Sequence, residues 1–133
     1  MNRRPLRLWL TAAVLSHLLV AMAHGAAHAG AHVPLSRAAD LFVLIVIVAG
    51  PLVGLALLPF AEPIGIWVIA TTLAGSLVFG FVNHFVFVSP DHVSHIARQW
   101  QPLFATTAVL LVVTEALGSG LAIRLARRTR QAT

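Results

Sequence analysis

Seven histidines stand against four acidic residues in this 133-residue chain: His17, His24, His28, His32, His84, His92 and His95. Imidazole is the commonest metal ligand, ligates haem iron, and titrates near neutral pH. His17, His24 and His28 are spaced seven and four apart. At about 100° per residue they stay within about 40° of one another on a single helical face. His32 extends the stripe if the helix continues that far, across Gly25 and Gly30. His92 and His95 lie at i, i+3 beside Asp91, a set of nitrogen and carboxylate donors that Zn, Ni, Co or Cu accept. His24 and His84 are alternative candidates for the axial ligands of a haem held between helices. The same cluster could relay protons or sense pH. Histidines at a membrane interface are also tolerated as plain polar residues, so a cofactor-free chain stays open.

Glu115 is the second chemical signal, because it falls in the middle of an apolar stretch. A carboxylate there is costly and must face other protein groups. His17 is its expected hydrogen-bond partner, with Thr114 and Ser119 as local alternatives. Asn83, next to His84, can orient an imidazole or bond a backbone group freed by Pro90. No phosphate loop, HExxH or nucleophile elbow is present, and four acidic residues are too few for two-metal hydrolysis. The absence of cysteine removes thiolate sites and disulfides.

The elements that must position these groups are four apolar stretches, at about 6–27, 41–60, 64–88 and 103–123, each near the roughly 20 residues a membrane helix needs. Hydrophobic residues are 59% of the chain and charged residues 10%, against about 25% charged in an ordinary soluble domain. Composition therefore excludes a soluble enzyme, a disordered chain and a nucleic-acid module. The expected fold is all-α, one antiparallel four-helix transmembrane bundle in a single domain. Gly50-Pro51 predicts a kink in the second helix. Gly50 with Gly54, Thr72 with Ser76 and Gly80, and Ala116 with Gly120 place small residues at the spacing of close helix packing.

Orientation follows from arginine. Arg3, Arg4 and Arg7 precede the first stretch, and Arg124, Arg127, Arg128 and Arg130 follow the last. The connections hold only Arg37 and Arg98. The positive-inside rule then puts both termini in the cytoplasm. Terminal basic clusters also suit anionic lipid headgroups, so the partners expected are the bilayer and a homo-oligomer or larger membrane complex, with no nucleic acid. Trp9, Trp67 and Trp100 fall at helix ends, as an interfacial belt requires. Residues 1–29 also read as a secretory signal ending in Ala27-His28-Ala29, but their apolar run exceeds the usual signal core of about 7–15 residues. We expect the first helix to be retained.

With that orientation His17 and Glu115 lie near the midplane on helices one and four. His24 is about 10 Å and His84 about 12 Å further out at 1.5 Å per residue, so they share one layer. Asp91, His92, His95, His28 and His32 lie above them. The expectation is an extracytoplasmic site for a transition metal or haem, built from His24, His28, His84, Asp91, His92 and His95. The runner-up is a cofactor-free structural or accessory subunit.

Phe81-Val-Asn-His-Phe, Ser89-Pro-Asp-His-Val, Trp100-Gln-Pro and Thr114-Glu-Ala-Leu-Gly resemble a family of small four-helix bacterial membrane proteins without assigned activity. The resemblance covers the last two helices and implies the bacterial inner membrane, with no reaction. Asp91-His92 is similar to the Asp-His pairs of nickel and cobalt permeases. This chain lacks their length and wider histidine pattern, and no residue roles carry over.

Overall fold

The computed structural model describes residues 4–131, so Arg3 lies outside the described residues. These residues are helical, with no strand among them. Four helices are long and apolar enough to cross a membrane: α1 (Arg4–Ala31), α2 (Arg37–Leu57), α3 (Glu62–Val86) and α4 (Gln101–Arg130). A 3-10 turn at Val93–His95 interrupts the connection before α4.

The helix ends depart from the apolar stretches for local reasons. α1 continues past Ala27 until His32 adopts a φ of 54°. There the N–H of Val33 reaches His28 O at 3.1 Å and that of His32 reaches Ala29 O at 3.2 Å. This is a Schellman ending, so His32 stops α1 instead of lengthening the histidine stripe. α2 ends at Leu57, short of Phe60. α3 begins at Glu62, before Ile64, because Pro63 occupies its first turn, where no N–H is needed. Pro102 does the same in α4. α4 runs past Ile123 to Arg130, since arginine forms helix well and its charge complements the C-terminal dipole.

Two segments widen into π-helix: Val43–Ala49 of α2 and Val82–Val86 of α3. The first lies directly before Gly50-Pro51, where the sequence predicts a kink. In an α-helix the N–H of residue 51 would bond the Ile47 carbonyl, and proline has none.

Side-chain burial inverts the soluble pattern. Leu8, Leu19, Met22, Phe60, Val78 and Val88 are exposed, whereas His17, His24, Ser76, His84, Glu115 and Ser119 are buried. Lipid tails solvate leucine as well as a protein core does, and they reject imidazole and carboxylate. α1 packs along α4, α4 along α3, and α3 along α2. The α2–α3 backbones approach closely at Gly54 and Gly65, where a Cβ on Gly65 would stand 2.7 Å from the Gly54 carbonyl oxygen. On α4 the close approach falls at Gly118, whose Cβ would strike Leu73, while Gly120 faces open space. Arg7 donates to Leu58 O at 2.9 Å and pairs with Glu62 at 3.1 Å, tying the start of α1 to the α2–α3 turn. Leu10, Val14, Ile66, Ile69, Leu73 and Leu125 fill the core beside this clasp.

Candidate metal centre

Extension of α1 to Ala31 keeps His28 helical, one turn beyond His24 on the same face. The π turn of α3 brings in His84, and the first turns of α4 bring in Phe104 and Thr107. Phe104 is fully buried. Its ring centroid lies 4.6, 4.8 and 5.2 Å from those of His24, His28 and His84. One apolar ring thus sets the position of three imidazoles.

Neighbouring groups decide which nitrogens carry protons. Thr107 Oγ1 donates to Leu103 O at 2.7 Å, so toward His24 it can only accept; His24 Nδ1–H donates to it at 2.8 Å. His84 Nδ1–H donates to the Asp91 carbonyl at 3.1 Å and lies 3.3 Å from Asp91 Oδ1. His28 Nε2 faces the same Oδ1 at 3.1 Å, and beside a carboxylate it carries the proton. Both N–H groups lean on Oδ1 and favour the ionised carboxylate. Burial raises the Asp91 pKa, but His28 and His84 outweigh it and hold the carboxyl below the usual range.

The assignment has one consequence. With their Nδ1–H groups committed, His24 and His84 turn their Nε2 atoms toward each other at 3.1 Å. Two lone pairs at that separation repel unless a proton or a cation lies between them. His28 Nδ1 is also buried and has no hydrogen-bond partner. His24, His28 and His84 each offer one nitrogen, all within 4.8 Å of one another, a grouping that could hold a metal ion. A cavity of about 320 Å³ adjoins the three rings and reaches Glu115. A second, of about 470 Å³, shares Leu35, Phe79 and Asp91 with the first.

The other candidates fall elsewhere. Among the described residues His92 and His95 are outside the three-nitrogen group. His92 Nδ1 accepts from the Ser94 backbone N–H at 3.2 Å, and His95 Nδ1–H donates to Ser89 O at 2.7 Å. They hold their own turn together. Asp91 stands behind the imidazoles, as a group that orients ligands. Asn83 donates to Phe79 O at 2.8 Å, where α3 widens, and does not reach His84 through a hydrogen bond.

His17 and Glu115 are brought together, but not by a hydrogen bond: Nδ1 and Oε1 are 3.6 Å apart. His17 instead donates from Nε2 to the Ile47 carbonyl at 3.0 Å, the group that in an α-helix would look to residue 51, a proline without an N–H. Thr114 and Ser119 bond their own helix and leave Glu115 alone. Sequence reasoning passed over Thr107, Phe104 and the Ile47 carbonyl. Thr107 was reachable by counting residues to the layer of His24, and Ile47 by asking which carbonyl Pro51 strands. No protein-family profile, curated protein or solved structure matches the chain.

Proposed function

We propose that this chain is a multi-pass protein of antiparallel helices, with both termini in the cytoplasm, that binds a transition-metal ion through His24, His28 and His84 on the extracytoplasmic side. The observation carrying this reading is the pair of facing Nε2 atoms, with a nitrogen of His28 within 4.8 Å of them. Metal–nitrogen bonds of about 2.0–2.1 Å spanning a 3.1 Å gap subtend about 98° at the metal, near a tetrahedral angle. Trans axial ligands of a haem would need about 4.1 Å by the same bond length, and the rings meet edge to face at 69°. A small ion is therefore preferred to haem. Neutral imidazoles suit Zn, Cu, Ni and Co. Three of them leave a fourth position for an exogenous donor, which the metal would polarise.

Asp91 and Thr107 orient the ligands, the outer-shell role that fixes imidazole tautomers in metal sites. The bacterial inner membrane is the proposed location, on the resemblance described above and the terminal arginines. Elemental analysis and absorption spectroscopy of the purified protein test the function. Stoichiometric metal whose tighter site is lost in His24→Ala supports it. A Soret band would transfer the site to haem. Neither signal, after loading with Zn2+, Cu2+, Ni2+ and Co2+, would favour a cofactor-free accessory subunit. Reporter fusions test orientation: active cytoplasmic reporters after Glu62 and at the C-terminus, and extracytoplasmic ones near Arg37 and Ser94. The reverse pattern would refute it.

A further inference from the structure

Polar residues inside the bundle form two layers. The upper contains His24 of α1, His84 of α3 and Thr107 of α4. Seven or eight residues along the same helices stand His17, Ser76 and Glu115, about 10–12 Å away at 1.5 Å per residue. All three are buried, at 0%, 0% and 2% exposure. Ser76 and Glu115 line the cavity that also touches His24 and His84. The cavity thus joins the two layers through Ser76 and Glu115 below and His24 and His84 above, with His17 beside Glu115.

The lower layer has unspent donors. His17 Nε2–H is committed to Ile47 O, which fixes the lone pair on Nδ1. That Nδ1 is buried without a hydrogen-bond partner and points at Glu115. The gap of 3.6 Å is too long for a hydrogen bond. A cation bonded to both atoms at about 2.0–2.1 Å would subtend about 123° across it. The backbone carbonyl behind His17 is the usual outer partner of a ligating imidazole. Ser76 donates its proton to Thr72 O, leaving its oxygen free to accept or ligate.

We infer that His17 and Glu115 form a second cation site, for a divalent transition metal with nitrogen and oxygen donors, completed by Ser76 or by water from the cavity. The site stands on its own donors and does not require the three-histidine centre to be filled. Together the two layers make a pair of stations that a metal ion can occupy in turn.

Zn2+ binding to the full-length protein in detergent, measured by equilibrium dialysis and elemental analysis, tests this. Wild type should bind two ions per chain, the lower site more weakly because it has fewer protein ligands. Glu115→Gln and His17→Phe should each bind one, retaining the tighter. His24→Ala should also bind one, the weaker, which separates failure of the lower site from failure of the upper. Gly25 lines the cavity, and a Cβ there meets nothing within 4 Å. Gly25→Leu should therefore fold, keep the upper ion and fill the lower site at least tenfold more slowly. One ion in wild type at saturating Zn2+, or two ions in Glu115→Gln, would overturn the inference. The pair would then share only a proton.

Discussion

Asp91 makes the sharpest test of the upper site, because it touches two ligands without being one. Its Oδ1 lies 3.1 Å from His28 Nε2 and 3.3 Å from His84 Nδ1. His84 also has the Asp91 backbone carbonyl at 3.1 Å, which no substitution removes. Loss of the side chain therefore falls mainly on His28. Outer-shell partners of a ligating histidine are worth about 10–100-fold in metal affinity, or about 1.4–2.8 kcal/mol at 1.4 kcal/mol per tenfold. Asp91→Asn keeps an acceptor for His28 but discards the charge, and should weaken Zn2+ binding about tenfold. Asp91→Ala leaves Nε2–H facing nothing and should weaken it about 100-fold. Competition with a chromophoric chelator at fixed pH reads both constants, and circular dichroism checks that the helices persist. An Asp91→Ala constant within twofold of wild type would refute the outer-shell role. A larger loss in Asn than in Ala would refute the argument from charge and acceptor.

Other outcomes follow from single contacts. Thr107→Val removes the acceptor of His24 Nδ1–H, and should cost about 1–3 kcal/mol in unfolding free energy for a buried donor left unpaired, with weaker Zn2+ binding; unchanged stability and affinity would show that Thr107 does not hold the ring. His17→Phe should cost less in a Pro51→Ala background, where a new N–H can reach Ile47 O; strict additivity in a double-mutant cycle would sever that link. Asp91 titrates below the usual carboxylate range, so its contacts with His28 and His84 contribute stability above about pH 4, and that contribution is lost as pH falls through the depressed value. The stability gap between wild type and Asp91→Asn, followed by thermal unfolding, should thus not shrink between pH 7 and pH 5; a gap that closes there would contradict the depressed pKa.

Hydropathy sufficed to find four helices, because lipid-compatible segments must be long, apolar and continuous. It could not find their ends. Those depend on proline in a first turn, on His32 reversing φ, and on arginines that form helix outside any apolar window. Depth along a helix is a matter of counting residues at constant rise, so the common level of His24 and His84 was legible. Rotation about the axis was less so, since the π segments shift the face that follows. Spacing alone made His92 and His95 look like a ligand pair. The short turn they occupy needs its own hydrogen bonds, and they supply them.

The distribution of unspent polar atoms argues most strongly that the interior is functional. Thr71, Thr72, Ser76, Thr107, Thr114, Ser119 and Thr129 all return their hydroxyl protons to their own helix backbone. That is how a membrane helix neutralises a hydroxyl cheaply. The histidines could have been treated likewise, with one nitrogen given to a carbonyl and the other to a hydroxyl. Instead His17 Nδ1 and His28 Nδ1 are left buried without hydrogen-bond partners, and the Nε2 atoms of His24 and His84 are aimed at each other. Each of the two unpartnered Nδ1 atoms carries a cost of about 1–3 kcal/mol, in a fold whose total stability is of order 5–15 kcal/mol. Scattered through the bundle, these atoms would be defects. Gathered in two layers beside a cavity that His28 and Glu115 line, they suit the cation sites proposed above, where an ion that took up their lone pairs would offset the cost of holding them.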